Sequence, residues 1–137
     1  MIRRKSKKTR VVVITALCIL ITAAILFGYY MKRVNAYQDM VKNTVVSDMD
    51  ISVIPDGSYI GEYDVDFIYA KVEVFVRSGE ISDIVILEHR NDRGAAAESV
   101  IGDIVATQKI DVDSVSGATN SSVVLKKAVE LALTTSN

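Results

Sequence analysis

The stretch Val65–Leu87, VDFIYAKVEVFVRSGEISDIVIL, decides the fold class. Ile68, Ala70, Val72, Val74 and Val76 fall at every second position, and Asp66, Lys71 and Glu73 show that part of the same run meets water. A period of two predicts one long, half-solvated strand over Val65–Val76. Ser78-Gly79 then supplies a hairpin turn and Ile81–Leu87 a return strand. A shorter strand, Ser58–Tyr63, precedes the pair, after a turn at Pro55-Asp56-Gly57 that uses the only proline.

Beyond Asn91 the period changes. In Ala95–Lys109, Ala96, Val100, Ile101, Ile104 and Val105 recur at helical spacing, and Gly94 fits the loop before them. In Ser121–Leu133, Val124, Leu125, Ala128, Leu131 and Ala132 recur at steps of three and four. Strands followed by helices predict an α+β domain: a small antiparallel sheet packed by two helices, preceded by a single N-terminal transmembrane helix.

That helix is expected over Val11–Tyr30, twenty residues without a charge, long enough at 1.5 Å per residue to cross about 30 Å of hydrocarbon. Residues 1–10 form a basic tail with six positive side chains, and Tyr29 and Tyr30 suit an interfacial belt. The positive-inside bias puts the N-terminus in the cytoplasm and exports the chain beyond Arg33, although Lys32 and Arg33 soften the contrast. The alternative is a cleaved signal peptide ending near Val34-Asn35-Ala36, but the apolar run is long for a signal core. Residues 31–50 read as a stalk and 51–137 as the extracytoplasmic domain. The chain is therefore expected in a cell membrane as a single-pass protein, with its C-terminal domain outside the cytoplasm under either alternative.

Charge and composition remove several function classes. Residues 1–36 hold eight basic side chains and no acid, leaving eight bases against seventeen acids in residues 37–137, a net of −9. An acidic exported part repels phosphate backbones, so nucleic acid is not an expected partner. One cysteine, Cys18, inside the apolar run, and one histidine, His89, are too few for a zinc site, an iron–sulfur cluster or a c-type haem attachment, and no intrachain disulfide can form. Neither GxxxxGK[ST] nor GxGxxG occurs. A redox role would therefore need a bound organic cofactor, and no catalytic residue or metal ligand set is expected.

Between the two expected helices lies Asp111–Ser122, DVDSVSGATNSS. It is rich in hydroxyls, slender at Gly117-Ala118, and ends where a helix begins, so backbone N–H groups and the helix dipole favour an anion there. The bland alternative is a polar loop in which Asn120, Ser121 or Ser122 caps the helix.

Asp113–Ser122, DSVSGATNSS, resembles the flavinylation motif of the FMN-binding domain family, which includes covalent-flavin subunits of bacterial sodium- or proton-linked membrane electron-transport complexes. Asp56–Glu62, DGSYIGE, resembles the DGxYxGE opening of these domains, and the strand pair Lys71–Glu88 resembles their central hairpin. The likeness covers about residues 51–137. It implies FMN joined through its phosphate to Thr119, with Asp113, Ser116, Gly117, Ala118, Asn120 and Ser121 as surrounding cofactor-binding or recognition positions. A threonine hydroxyl is a feeble nucleophile at neutral pH. The resemblance accordingly implies a separate flavin transferase, using FAD and Mg²⁺, as a partner. Asp113 then belongs to recognition or metal proximity during transfer.

The resemblance also places the Glu88–Gly94 stretch near the flavin ring. Gly94 is its member chosen as cofactor-binding, because glycine permits close backbone approach, while the charged members read rather as a solvated loop. This stretch departs from the Thr-Pro-Gly pattern of the large-complex subunits. Tyr59, Tyr63, Phe67, Tyr69 and Phe75 read as core rather than flavin ligands. The expected function is a membrane-anchored flavoprotein that transfers electrons to or from a membrane or extracytoplasmic partner. The alternatives are a non-covalent FMN-dependent reductase and a cofactor-free interaction module anchored in the lipid bilayer.

Overall fold

Three antiparallel strands in the order β1-β2-β3 form the sheet: β1 Gly57–Asp64, β2 Tyr69–Arg77 and β3 Glu80–Arg90. The computed structural model describes residues 7–91 and 94–135. Residues 1–6 of the expected basic tail, and Asp92 and Arg93 of the expected loop, lie outside them.

Strand β2 alternates as its sequence demands. Ala70, Val72, Val74 and Val76 are buried, whereas Tyr69, Lys71, Glu73 and Phe75 are only half-buried on the opposite face. Ser78 and Gly79 close the β2–β3 hairpin with φ of 55° and 76°, and Arg77 pairs with Glu80 across them. Two positive φ values fit a primed turn, whose twist matches that of the flanking strands. Serine is the strained member. Ser78→Asn is expected to raise stability by roughly 0.5 kcal/mol, because Asn tolerates the left-handed region better. A thermal melt followed by circular dichroism of the full chain in detergent should show a higher midpoint, since the Ser78 N–H bond to Asp56 Oδ1 (2.7 Å) needs no serine side chain.

The expectation of one strand over Val65–Val76 needs correction at its start. Val65–Ile68 form the connection from β1, with Asp66 at φ 74° and its N–H donating to Asp64 Oδ1 at 2.8 Å. A carboxylate that bonds the backbone two residues on stabilises a turn, and Val65 and Ile68 are buried beside the sheet without belonging to it. Strand β3 is longer than expected, reaching Arg90, and its pairing with β2 shifts register between Lys71 and Val72 and between Phe75 and Val76.

Two α-helices complete the domain: α2 at Val100–Thr107 and α3 at Thr119–Thr134. With the long N-terminal helix α1, Lys7–Asn43, they agree with the expected α+β architecture. Helix α3 lies across β1 and β2, and α2 packs on β3 and α3. Val124, Leu125, Ala128, Val129, Ala132 and Leu133 of α3 join Val72, Val74, Ile81, Ile104 and Ile110 in one apolar core. The expected first helix, Ala95–Lys109, begins instead as a 3-10 turn, Ala95–Ser99. It stops at Gln108, whose φ is 58°. The Gln108 side chain accepts from the Ile81 N–H at 2.7 Å and donates to the Ile81 carbonyl at 2.9 Å, tying the end of α2 to β3.

Helix α1 is long and apolar enough to cross a membrane. The hydroxyl of Thr22 donates to Cys18 O at 2.8 Å and that of Thr15 to Val12 O at 2.9 Å, so neither asks anything of a hydrocarbon environment. The chain divides into two compact units, Met1–Ala36 and Tyr37–Asn137. Much of the expected stalk, residues 31–50, thus belongs to the second unit. Val41 is buried, the Tyr37 and Phe67 rings sit 5.0 Å apart, and Thr44 Oγ1 bonds the Tyr63 hydroxyl at 2.7 Å.

Candidate functional site

The segment between α2 and α3 is held from inside and open on the outside. Ile110 is fully buried, and Val112 and Val115 are half-buried against the core. These apolar side chains, spaced along DVDSVSGATNSS, fix one edge of the loop. Ser122 fixes its far end: its Oγ accepts from the Val115 N–H at 3.0 Å and donates to the Ala118 carbonyl at 2.9 Å. A fully buried hydroxyl that spans seven residues of chain explains a serine inside an otherwise apolar stripe.

On the outer side, Asp113, Ser116, Gly117 and Thr119 are exposed. Gly117 has φ 80°, and a Cβ there would meet nothing within 4 Å, so the backbone turn rather than crowding calls for glycine. Thr119 opens α3. Ala118 is the N-cap residue, and no side chain among the described residues caps the helix. The expected capping role of Asn120, Ser121 or Ser122 is therefore corrected. Ser122 bonds a carbonyl and a loop N–H instead, and Ser121 is buried. The first N–H groups of a helix have no intrahelical acceptor. A sixteen-residue helix that starts without a side-chain cap from the described residues, beside an exposed hydroxyl, is chemically suited to a phosphodiester, whose single negative charge would meet N–H donors and the positive dipole end.

The other residues of the motif are placed differently. Ala118 is buried, Asn120 half-buried, and Ser121 only 3% exposed. Gly94 is brought to the site through Ser121: a Cβ on Gly94 would collide with the Ser121 side chain. Asn91 Oδ1 accepts from the Gly94 N–H at 2.9 Å and so holds that segment against the first turn of α3. The close approach expected of Gly94 is thus to the motif's own helix.

His89 lies on the inner face of β3 with its side chain 2% exposed, and its Nδ1 is 3.0 Å from Glu98 Oε1. Its Nε2 is buried without a hydrogen-bond partner among the described residues. The Asn91 side-chain nitrogen lies 3.4 Å from Nδ1, so His89 is linked to the residue that holds Gly94. Burial of the ring separates His89 from the solvated loop read in the sequence.

Three contributors were not legible as such. Lys126, only 5% exposed, lies one turn beyond Ser122, and its Nζ bonds Asp111 Oδ1 at 3.1 Å and the Val112 carbonyl at 2.7 Å. A lysine on the apolar stripe of α3 is a signal in retrospect. Ser122 stood inside the motif with no hint of its two-ended bond. Asp48 comes from the expected stalk: its Oδ1 accepts from the Ile110 N–H at 2.7 Å and the Asp111 N–H at 2.9 Å.

The aromatic residues serve the framework. Tyr59 OH donates to the Pro55 carbonyl at 2.7 Å, and Tyr69 OH to Glu62 Oε2 at 2.8 Å. The bond to the Glu62 carboxylate, aided by desolvation and the charges of Glu62, Glu88 and Asp64, pushes the Tyr69 phenol up to about 12. A raised value means that the fold holds this proton more tightly than the unfolded chain does. Its contribution to stability is complete below the ordinary value near 10 and lost as pH rises through about 12. In an ultraviolet pH titration, Glu62→Gln is expected to return one tyrosine toward the ordinary range; an unchanged curve would refute that cause.

A family model described as FMN-binding domain matches residues 66–134, half of the chain. No curated protein matches it. The matched stretch begins after the Asp56–Glu62 opening and runs from the β1–β2 connection to the end of α3.

Proposed function

The chain belongs to the FMN-binding domain family, and on that premise we propose that it is a membrane-anchored extracytoplasmic electron carrier with FMN joined covalently to Thr119. Its domain makes it a flavoprotein with FMN as cofactor. The attachment, the electron transfer and the location are the proposal. The observation that carries it is an exposed threonine at the start of a long helix that no side chain among the described residues caps.

Attachment needs help from outside the chain. Thr119 has no histidine beside it in the loop, and an unassisted hydroxyl is a weak nucleophile. A flavin transferase using FAD and Mg²⁺ would form the bond from Thr119 Oγ to the FMN phosphorus, break the FAD pyrophosphate, release AMP and take up the hydroxyl proton. The chain's own residues present the acceptor: Gly117 turns the backbone, Ser122 and the half-buried valines fix the loop, and the helix start stabilises the phosphate charge. Asp113, exposed beside them, is available to the transferase or its Mg²⁺.

Bound FMN supplies one- and two-electron chemistry, so the carrier can join two-electron donors to one-electron acceptors in the membrane or outside it. A covalent tether suits a domain outside the cell, where a released cofactor is lost. The basic tail and the apolar Val11–Tyr30 run support an N-terminus in the cytoplasm and the domain on the opposite side of the lipid bilayer.

Intact mass tests this reading. Full-length chain co-expressed with a flavin transferase should carry one added FMN and remain yellow after acid precipitation. Colour that washes away on denaturation would overturn covalent attachment in favour of a non-covalent reductase. Absence of flavin despite an active transferase would leave an interaction module.

A further inference from the structure

Beyond the residues of the motif, the acceptor loop is gripped at its entry from two directions. Asp48 Oδ1 receives both the Ile110 and the Asp111 N–H groups, and Lys126 Nζ holds the Asp111 carboxylate and the Val112 carbonyl. The two grips meet on Asp111: its N–H goes to Asp48 and its side chain to Lys126. Lys126 is 5% exposed while the Asp111 side chain is 54% exposed, so the partly solvated carboxylate and the carbonyl of half-buried Val112 together satisfy a cation that water cannot reach freely. An unpaired buried ammonium is costly, so the loop entry and the lysine stabilise each other. Asp48, by contrast, is exposed. Its bonds are charge-assisted, and Asp48 itself lies outside the family-matched stretch, 62 residues upstream of Ile110.

Asp48 also sits in a segment that is itself fastened to α3. Ser47 N–H donates to Glu130 Oε2 at 3.2 Å, and Lys127 Nζ donates to the Val45 carbonyl at 2.9 Å. The segment following α1 and the last helix thus grip the loop together. We propose that Asp48 and Lys126 are positioning residues that set the shape in which the loop presents Thr119 to the flavin transferase. The unit that the enzyme recognises then includes the segment after the membrane helix. This inference rests on Thr119 being the attachment point.

The test uses full-length chain in detergent, a flavin transferase, FAD and Mg²⁺, with FMN incorporation followed by intact mass and amide exchange read at Ile110 and Asp111. Asp48→Ala should slow incorporation about tenfold at low acceptor concentration, mainly through a higher KM, and speed exchange of both amides about tenfold, as expected for two lost bonds to a charged acceptor. Asp48→Asn keeps an oxygen acceptor and should restore both readouts to within about threefold. Lys126→Met keeps the aliphatic stem and should slow incorporation similarly, with a thermal melt separating this from unfolding.

Wild-type incorporation kinetics in Asp48→Ala, with its amides exposed, would overturn the positioning role. Unchanged exchange in Asp48→Ala would overturn the grip itself. If wild type takes up no FMN at Thr119, the attachment reading fails and the positioning role falls with it, even where faster exchange in Asp48→Ala shows the grip to be real.

Discussion

Thr119→Ala is expected to abolish covalent FMN altogether: no added mass on the intact chain and no colour in the acid precipitate. The effect is total because the substitution removes the one atom through which the phosphoester would form, and neither hydroxyl that follows in the first turn of α3 is free to replace it. Ser121 is buried against Gly94, and the Ser122 hydroxyl is engaged at both ends. Thr119 is exposed and its side chain caps nothing, so the folded state should change by less than about 0.5 kcal/mol. An unchanged thermal midpoint in the unmodified form would show that the loss is chemical and not conformational. Thr119→Ser keeps a hydroxyl and should retain partial modification. Thr134→Ala, at the other end of the same helix, should be modified as wild type. Full FMN loading of Thr119→Ala would end the attachment reading.

The local code explains what the sequence reveals of this fold. The alternation at Ala70, Val72, Val74 and Val76 is a direct record of one buried face, and the Ser78-Gly79 turn is written in its two residues. The α3 stripe is equally plain. What escaped is held by contacts distant in sequence. The connection at Val65–Ile68 keeps the apolar rhythm of a strand because Val65 and Ile68 are buried beside the sheet, so periodicity alone extends the strand past its true start. The early end of α2 depends on Gln108 finding Ile81, and nothing near Gln108 announces that partner. In the candidate loop, the glycine turn before Thr119 is written in the motif itself, whereas Asp48 is an ordinary acid in a polar stretch until the chain brings Ile110 to it. His89 reads as one more polar residue of a charged run until strand β3 extends far enough to turn it inward.

Gly61→Ala is expected to cost roughly 2–4 kcal/mol of stability. Gly61 pairs with Val72 on β1 and lies directly beneath α3. A Cβ there would stand 2.7 Å from Ala132 Cα and collide with the Ala128 carbonyl oxygen and the Ala132 nitrogen. Every one of these atoms is backbone, so no side chain can rotate away, and relief requires α3 to lift from the sheet. The alanines at 128 and 132 make the approach possible from the helix side, and the glycine of the DGSYIGE opening makes it possible from the strand. The same helix carries Thr119, Ser122 and Lys126, so its displacement also loosens the acceptor loop. For a unit of about this size the thermal midpoint should fall by about 10–25 °C, and FMN incorporation should fall with it below the melting range. Gly102→Ala is the matched control: nothing lies within 4 Å of its added methyl in α2, and helix propensity predicts a gain of up to about 1 kcal/mol. Circular dichroism melts of the two variants should therefore move in opposite directions. A Gly61→Ala chain that melts with wild type would mean that β1 and α3 are not as close as the packing of Gly61 against Ala128 and Ala132 requires.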